Sequence, residues 1–550
     1  MEKLLNDRVP ANPECYMFSF YEESVKDYLD SITITSMGVK VSVRDLINRR
    51  NLCAKGLLEF GIKPGEIVSV CMPNTIEAIV LLYAINQIGA VSNYINILKD
   101  AEYIRYCINI TESKVLFAFD GIMNKIAPIL DATKVEKVIF ASAFESLPFP
   151  KKQIVSYMAK KSGKIPEYSN ERGYLDWNAF VNLCKSSRKE IMTPEYHKNQ
   201  AAFIEYTSGT TGAPKAIELT NETANQKAID YSYNKVFNSA RGERYINIIP
   251  LFVAFGIIIG AHTPMCLGLN TEQILSYKNE DLFKILKKKP ESWFLTPSSY
   301  SFLINHPDFK KLDFSVTKLA GCGGDALSAG QCMIVEKKMR EQGFSNNITN
   351  GFGASELGAP FCTCTWTYAK PGSVGLPYPG NEIIIFKEGT YDRLGKNEIG
   401  DICMVGKYPM NGYYKDPEAT ARVMITLPDG RQAIMLGDMG YVDDDGFIFI
   451  KGRKIDRLTA NIGQVWPIDV ESLLMGTGLV RYCCVSNSQV EGQLTAYIEI
   501  ADSNKDAVIR QLTALVHESP GYEELDIVFQ PVNQIPLTFS GKIDRKALRV

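Results

Sequence analysis

A chain of 550 residues exceeds what one compact core organises, and with 45% hydrophobic and 22% charged residues its composition is that of an ordinary globular protein. Sixty Lys and Arg against 62 Asp and Glu leave a formal charge of −2, so no global field draws nucleic acid or an anionic membrane, and a small-molecule partner is expected. Thirteen cysteines without CxxC spacing, and four histidines that do not cluster with Cys362-x-Cys364 or Cys483-Cys484, point to reduced cytoplasmic thiols rather than disulfides or zinc.

The opening "MEKLLNDRVPANPE" lacks the basic start and apolar core of a signal peptide, so export is not expected. In "VSVRDLINRRNLCAKGLLEFGIKPGEIVSVCMPNTIEAIVLLYAINQIGAVSNYIN" apolar residues recur every three or four positions and then run continuously. That pattern predicts helix, turn, strand, helix and strand, and therefore a buried sheet flanked by helices. The same texture returns at "ESKVLFAFD", "VEKVIFAS", "QAAFIEYTS", "YINIIPLF" and "VTKLAGCGG", without a fixed-period repeat. The interval 143–195, rich in Lys, Ser and Pro, reads as a surface excursion. Residues 250–269, "PLFVAFGIIIGAHTPMCLGL", approach membrane-spanning length, but Gly256, Gly260, His262 and Pro264 predict a buried helix or pocket wall instead of an integral membrane segment. Lys287-Lys288-Lys289 before Pro290 reads as a solvated helix end. Near residue 452 a polar, charged stretch follows a strand, and the remaining hundred or so residues fit a small α+β domain.

The stretch "YTSGTTGAPK", residues 206–215, carries the most chemistry. Small residues let successive backbone N–H groups converge on an anion, the hydroxyls of Thr207, Ser208, Thr210 and Thr211 add donors, Gly209 and Gly212 keep the backbone accessible, and Lys215 adds charge. The spacing is not that of a P-loop, and "AIEL" after it predicts a strand rather than a helix. A flexible Ser/Thr/Gly connector has the same composition.

The full string resembles the signature loop of the adenylate-forming superfamily, which comprises acyl-CoA synthetases, peptide adenylation domains and firefly-type luciferases. Further elements resembling that family follow in order. They are "GCGGDALS" (321–328), "NGFGASE" (350–356, with Ser355 where the family has Thr), "KPGSVGLPYPG" (370–380), "MNGYYKDPEAT" (410–420), "LGDMG" (436–440), "KGR" (451–453) and "PLTFSGKIDRKAL" (536–548). The resemblance spans nearly the whole chain and is closest in pattern to AMP-forming acyl-CoA ligases.

What the resemblance implies can be stated residue by residue. The fold would be α/β, with a large N-terminal domain of helix-flanked β-sheets (1–452) binding ATP and the acid, and a small mobile α+β C-terminal lid (453–550). Thr207 through Gly212 with Lys215 would hold phosphates; Gly323, Gly324 and Asp325 would border adenine and acid. Phe352 offers a flat face, and Asn350 beside Gly351 an amide that both donates and accepts. Glu356 is a hard oxygen ligand suited to Mg2+, with Ser355 next to it in the catalytic element. Asp438 would accept from the ribose hydroxyls, assisted by Arg453, and Lys542 matches the catalytic lysine. Phe252, Val253, Gly256 and Gly321 would line the acid pocket.

The implied reaction uses ATP to convert a carboxylic acid, fatty or aryl, into an acyl adenylate, which passes its acyl group to coenzyme A. An acyl carrier protein's phosphopantetheine thiol is the alternative acceptor. The run "PLFVAFGIIIG" has no acidic residue to pair an α-ammonium, which disfavours ordinary amino acids. The hinge departs from the family pattern, with Ile455 before Asp456, Thr459 at the usual lysine position, and Ile462 beside Gly463. That departure bears on the thioester step and leaves open a nucleotide-binding homologue with little turnover.

Overall fold

A computed structural model describes residues 9–161, 174–207, 214–275, 278–325, 327–500, 504–538, 542–545 and 547–548. Two large sheets carry most of the chain. The eight-stranded sheet has a parallel centre that includes Ile67–Cys71, Val91–Tyr94 and Ala201–Tyr206. Ala216–Thr220 then pairs antiparallel with Ala201–Tyr206, so the backbone leaves that strand's end and returns directly beside it. The nine-stranded sheet runs parallel through Arg244–Asn247, Ser292–Leu295, Leu319–Cys322 and Ile348–Ala354 and becomes antiparallel at Ala359–Thr363.

The two sheets share one core. Val68, Val70 and Phe203 from the first sheet join Ile34, Tyr245 and Phe294 from the second. Helix Ile76–Gln87 lies within this core and is buried at every position, which is why its sequence is apolar around the whole circumference. Three helical stretches, Ala254–Ile257, the π-helical Ile258–His262 and Thr263–Cys266, follow one another as a buried rod, as the glycines and proline in 250–269 imply. No helix among the described residues is long and apolar enough to cross a membrane.

A six-stranded antiparallel sheet contains Asp438–Val442 and Ile448–Arg453 and leads into the final core. That core runs from Leu458 to Ile535. It packs on a three-stranded sheet formed by Val480–Asn487, Leu494–Ile500 and Ile527–Pro531. The last unit touches the larger body at specific points. The Gly330 amide donates to Ser472 Oγ at 2.9 Å, and Lys451 Nζ lies 2.6 Å from Asp469.

One expectation is revised. Within 143–195, helix Lys151–Lys161 is a surface element, but helix Trp177–Ser186 packs into the body. Its Trp177, Phe180 and Cys184 are buried because they recur at i, i+3 and i+7 and meet Gly56, where a Cβ would stand 2.3 Å from Cys184 Sγ.

Candidate functional site

The strand Ala201–Tyr206 ends at Thr207, whose amide donates to the Lys215 carbonyl at 3.1 Å. This hydrogen bond ties the two feet of the glycine-rich loop together. Ser208, Gly209, Thr210, Thr211 and Gly212 themselves lie outside the described residues. Lys215 Nζ stands 4.7 Å from the centroid of the Tyr413 ring, within cation–π range. The same tyrosine donates its hydroxyl to Glu356 Oε1 at 2.7 Å. Tyr413 reaches both because Gly412–Tyr413 adds an antiparallel edge to Ala216–Thr220, pairing Tyr413 with Ile217.

Glu356 sits in the single 3-10 turn Ser355–Leu357, which follows strand Ile348–Ala354. Its backbone carbonyl accepts from the Met410 amide at 2.9 Å, so both backbone and carboxylate are anchored to the 410–413 segment. Chain reversal after the turn uses Gly358 (φ 67°) and Ala359 (φ 83°). A Cβ on Gly358 would lie 2.2 Å from Thr223 Cγ2, so the glycine is required twice over. Upstream in the strand, Gly351 and Phe352 pair with Thr363 and Cys362. Asn350 Nδ2 donates to the Ser373 carbonyl at 2.8 Å, while its Oδ1 is buried with no partner. An unpartnered buried acceptor beside a half-buried aromatic ring suits the edge of a purine that carries an amino group.

Asp438 and Arg453 face each other as register partners on neighbouring strands, with Arg453 Nε 3.8 Å from Asp438 Oδ1. Burial raises the Asp438 carboxyl above the ordinary aspartate range; Arg453 and then Lys542 pull it back, while Glu356 and Asp456 push it up. Asp438 thus feels the charges of Arg453, Lys542 and Glu356, although the four residues come from four separate motifs. Lys542 is exposed, and its carbonyl accepts from the Thr538 amide at 2.8 Å. Next to it, the Ile543 amide donates to Asp325 Oδ2 at 3.3 Å, so the end of the chain is fastened to the Gly323-Gly324-Asp325 turn.

Two residues of this region were not singled out in the sequence. Tyr413 lay inside a quoted motif but carried no role. Glu205 is fully buried in the middle of an apolar strand, and neither carboxylate oxygen has a hydrogen bond. Burial pushes its carboxyl well above the usual range, and the Glu356 charge adds to the rise. The sequence signal was a lone acid within "AAFIEYTS".

The residues expected around the acid lie at the start of the rod and on the strand Leu319–Cys322. Phe252 is buried and Val253 is half-buried at the start of the rod. Gly256 allows that rod to close on its own approach, since a Cβ there would lie 1.8 Å from the Pro250 carbonyl oxygen. The Gly321 carbonyl accepts from Tyr300 OH at 3.0 Å, and Gly324 takes a left-handed conformation (φ 89°).

Among the described residues no group of three or more His, Cys, Asp or Glu could enclose a metal ion. A divalent cation at Glu356 would therefore draw most of its ligands from phosphate oxygens and water, the coordination that Mg2+ favours.

Known proteins resemble this chain over most of its length. The long-chain-fatty-acid–CoA ligase of Bacillus subtilis (strain 168) is 26% identical over 548 residues, covering 98% of this chain and 94% of that protein. The enzyme of the same name from Escherichia coli O6:H1 is 25% identical over an alignment of 572 residues, covering 100% and 98%. Among solved structures, the anthranilate CoA ligase AuaEII in complex with anthranoyl-AMP superposes with a TM-score of 0.84 at 21% identity, covering 98% of this chain and 97% of that one. A benzoate CoA ligase from Burkholderia xenovorans LB400 gives a TM-score of 0.80 at 18% identity, covering 98% and 100%. Residues 21–414 match the family described as AMP-binding enzyme, a span that holds the glycine-rich loop, Glu356 and Tyr413, and the chain belongs to that family.

Proposed function

We propose that this protein activates a carboxylic acid with ATP and transfers the acyl group to the thiol of coenzyme A. In the first step an acid oxygen attacks the α-phosphorus, the bond to pyrophosphate breaks, and the acyl adenylate forms. In the second the thiol sulfur attacks the acyl carbonyl, its proton is lost, and AMP leaves.

The observation that carries this reading is geometric: Arg453 Nε lies 3.8 Å from Asp438, and Tyr413 both fixes the Glu356 carboxylate at 2.7 Å and faces Lys215 at 4.7 Å. In the proposal Asp438 accepts from the ribose hydroxyls, Arg453 holds that carboxylate, and Lys542 faces the charge that develops on the transferring phosphoryl group. Glu356, oriented by Tyr413, would hold Mg2+, which when bound neutralises phosphate charge and polarises the P–O bonds. Positioning and preorganised charge account for most of the rate under this scheme. The names of the sequence relatives support coenzyme A as acceptor, and a carrier-protein thiol is the alternative the experiment must separate.

The domain division that goes with this reading falls between residues 452 and 453, with the C-terminal part acting as a lid that brings Lys542 to the cleft and later withdraws it. A cytoplasmic setting is part of the proposal, in keeping with thirteen cysteines that carry no disulfide.

A panel of carboxylic acids assayed for AMP and pyrophosphate release, with and without coenzyme A or a holo carrier protein, tests the reading. Acid-dependent AMP release that rises with coenzyme A is expected. Lys542→Ala should lower adenylation by about 100-fold or more while nucleotide still binds. Failure of every acid to release AMP, or full adenylation by the variant, would refute the proposal.

A further inference from the structure

The space behind the Gly321–Gly324 turn is already filled. A Cβ built on Gly321 would lie 2.1 Å from Phe294 Cδ1, and one on Gly323 would lie 3.3 Å from Phe255 Cε1. Those two rings meet edge to face with centroids 5.4 Å apart. Phe294 continues edge-on to Phe237 at 6.3 Å and Tyr245 at 6.4 Å, and these two close the set at 5.3 Å. Phe294, Phe237 and Tyr245 are all buried, so the cluster is a packed plug between the sheet and the rod 254–266.

The rod packs closely on the sheet beside that plug. Gly260 lets it settle on the sheet, because a Cβ there would stand 2.6 Å from Asn247 Oδ1. Gln273 Nε2 donates to the Gly260 carbonyl at 3.1 Å across the same contact. Ile257 and Ile258 on the rod are fully buried. A flexible acyl tail entering past Gly321 would have to displace Phe294 from three aromatic neighbours at once, and close-packed interiors resist such insertion.

We infer that the acid this protein activates is compact, a short aliphatic or single-ring aryl carboxylate, and that Phe294 and Phe255 close the pocket against long acyl tails. This deepens the ligase reading and rests on it. It also separates the chain from the sequence relatives whose printed names specify long-chain fatty acids.

The test supplies wild-type protein with straight-chain acids from acetate to palmitate, and with benzoate, together with ATP, Mg2+ and coenzyme A. The kcat/KM for AMP release is expected to peak among the short or aryl acids and to be lower by about 100-fold or more for palmitate. Phe294→Ala is expected to raise palmitate turnover by about tenfold or more relative to the best short acid. Palmitate turned over by the wild type within about threefold of the best short acid would overturn the inference. Because Phe294→Ala removes a buried ring, the milder Phe294→Leu is run beside it, and binding of cis-parinaric acid is followed by fluorescence. Saturable binding of that long-chain probe at the acid site of the wild type, displaced by the best short acid, would also overturn the inference. AMP release from none of the acids would instead end the ligase reading itself.

Discussion

Tyr413 holds Glu356 by a 2.7 Å hydrogen bond from its hydroxyl while its ring face carries the Lys215 ammonium 4.7 Å away. One side chain thus links the residue after the glycine-rich loop to the carboxylate proposed for Mg2+. The two contacts use different parts of the ring and can be separated by substitution. Tyr413→Phe deletes the hydrogen bond to a charged partner, worth about 1.5–3 kcal/mol, and keeps the ring face. We expect it to raise the Mg2+ concentration needed for half-maximal AMP release by about tenfold. Tyr413→Ala also frees Lys215 and should weaken ATP binding further, as isothermal titration would report. An unchanged Mg2+ dependence in Tyr413→Phe would remove Tyr413 from the site.

Asp438 is buried, and its carboxyl is raised despite two cations nearby. In the proposed role Asp438 meets the ribose as a carboxylate, so nucleotide affinity should be present above its pKa and be lost as pH falls through it. The acid limb should lie above the ordinary aspartate range. Lys542 opposes the effect of burial, so Lys542→Ala should move that limb to higher pH, and Asp438→Asn should abolish it. For folding the sign is opposite to that of a salt-bridged aspartate. A raised carboxyl is ionised more readily in the unfolded chain, so Asp438→Asn should not lower Tm at neutral pH. AMP titrations from pH 4 to 8 and thermal melts check both arms.

The elements around the cleft were legible in the sequence because strand and helix periods differ and because the polar motifs interrupt them at fixed places. Asp438, Glu356 and Lys542, which alone read as an acidic turn, a solvated glutamate and a basic tail, drew their expected roles from the family resemblance. Tyr413 did not, since the neighbouring Tyr413 and Tyr414 look alike until pairing with Ile217 decides which one meets Glu356. Glu205 stayed hidden for a related reason. A strand's alternation says which face a residue occupies but not that Ser355 and Glu356 lie opposite. The aromatic plug joins Phe237, Phe255 and Phe294, whose meeting depends on how helix and sheet pack, so no local pattern carries it. Helix Trp177–Ser186 was misread because the Lys- and Ser-rich residues around it outweighed a short apolar stripe.

The segment proposed as the hinge carries its own clamp. Lys454 Nζ lies 2.9 Å and Arg457 Nη1 3.1 Å from the Glu388 carboxylate, and the Lys454 amide donates to the Gly437 carbonyl at 2.9 Å. Ile455, between the two cations, is 74% exposed. If the lid turns here, these ion pairs resist the turn, and their exposure limits each to about 0–1 kcal/mol. Glu388→Gln removes both pairs and should therefore accelerate transfer from a preformed acyl adenylate to coenzyme A by no more than about 30-fold, with the gain shrinking as salt rises. Rapid-quench single turnovers measure this directly, and a slower transfer would show that the clamp does not restrain the lid.

His262 reports on the integrity of the buried rod. Tyr83 OH donates to its Nδ1 at 2.9 Å, and its Nε2–H donates to Asn225 Oδ1 at 3.0 Å, so the ring is held neutral with both nitrogens used. Burial pulls its pKa down to about 3. The unfolded chain takes up a proton at this position below about pH 6.5, whereas the folded one does so only near the lowered value. Its contribution to stability is therefore complete above the unfolded pKa and is lost progressively as pH falls toward the folded one. Between pH 7 and 5 the loss is about 2 kcal/mol. His262→Gln should be less stable than the wild type at pH 7, because it disturbs two buried hydrogen bonds, but it has no proton to gain. The gap between the two proteins should then narrow by that same amount as the pH is lowered to 5. Urea unfolding of both proteins at the two pH values measures it, and a gap that stays constant or widens would mean that His262 is protonated in the folded core.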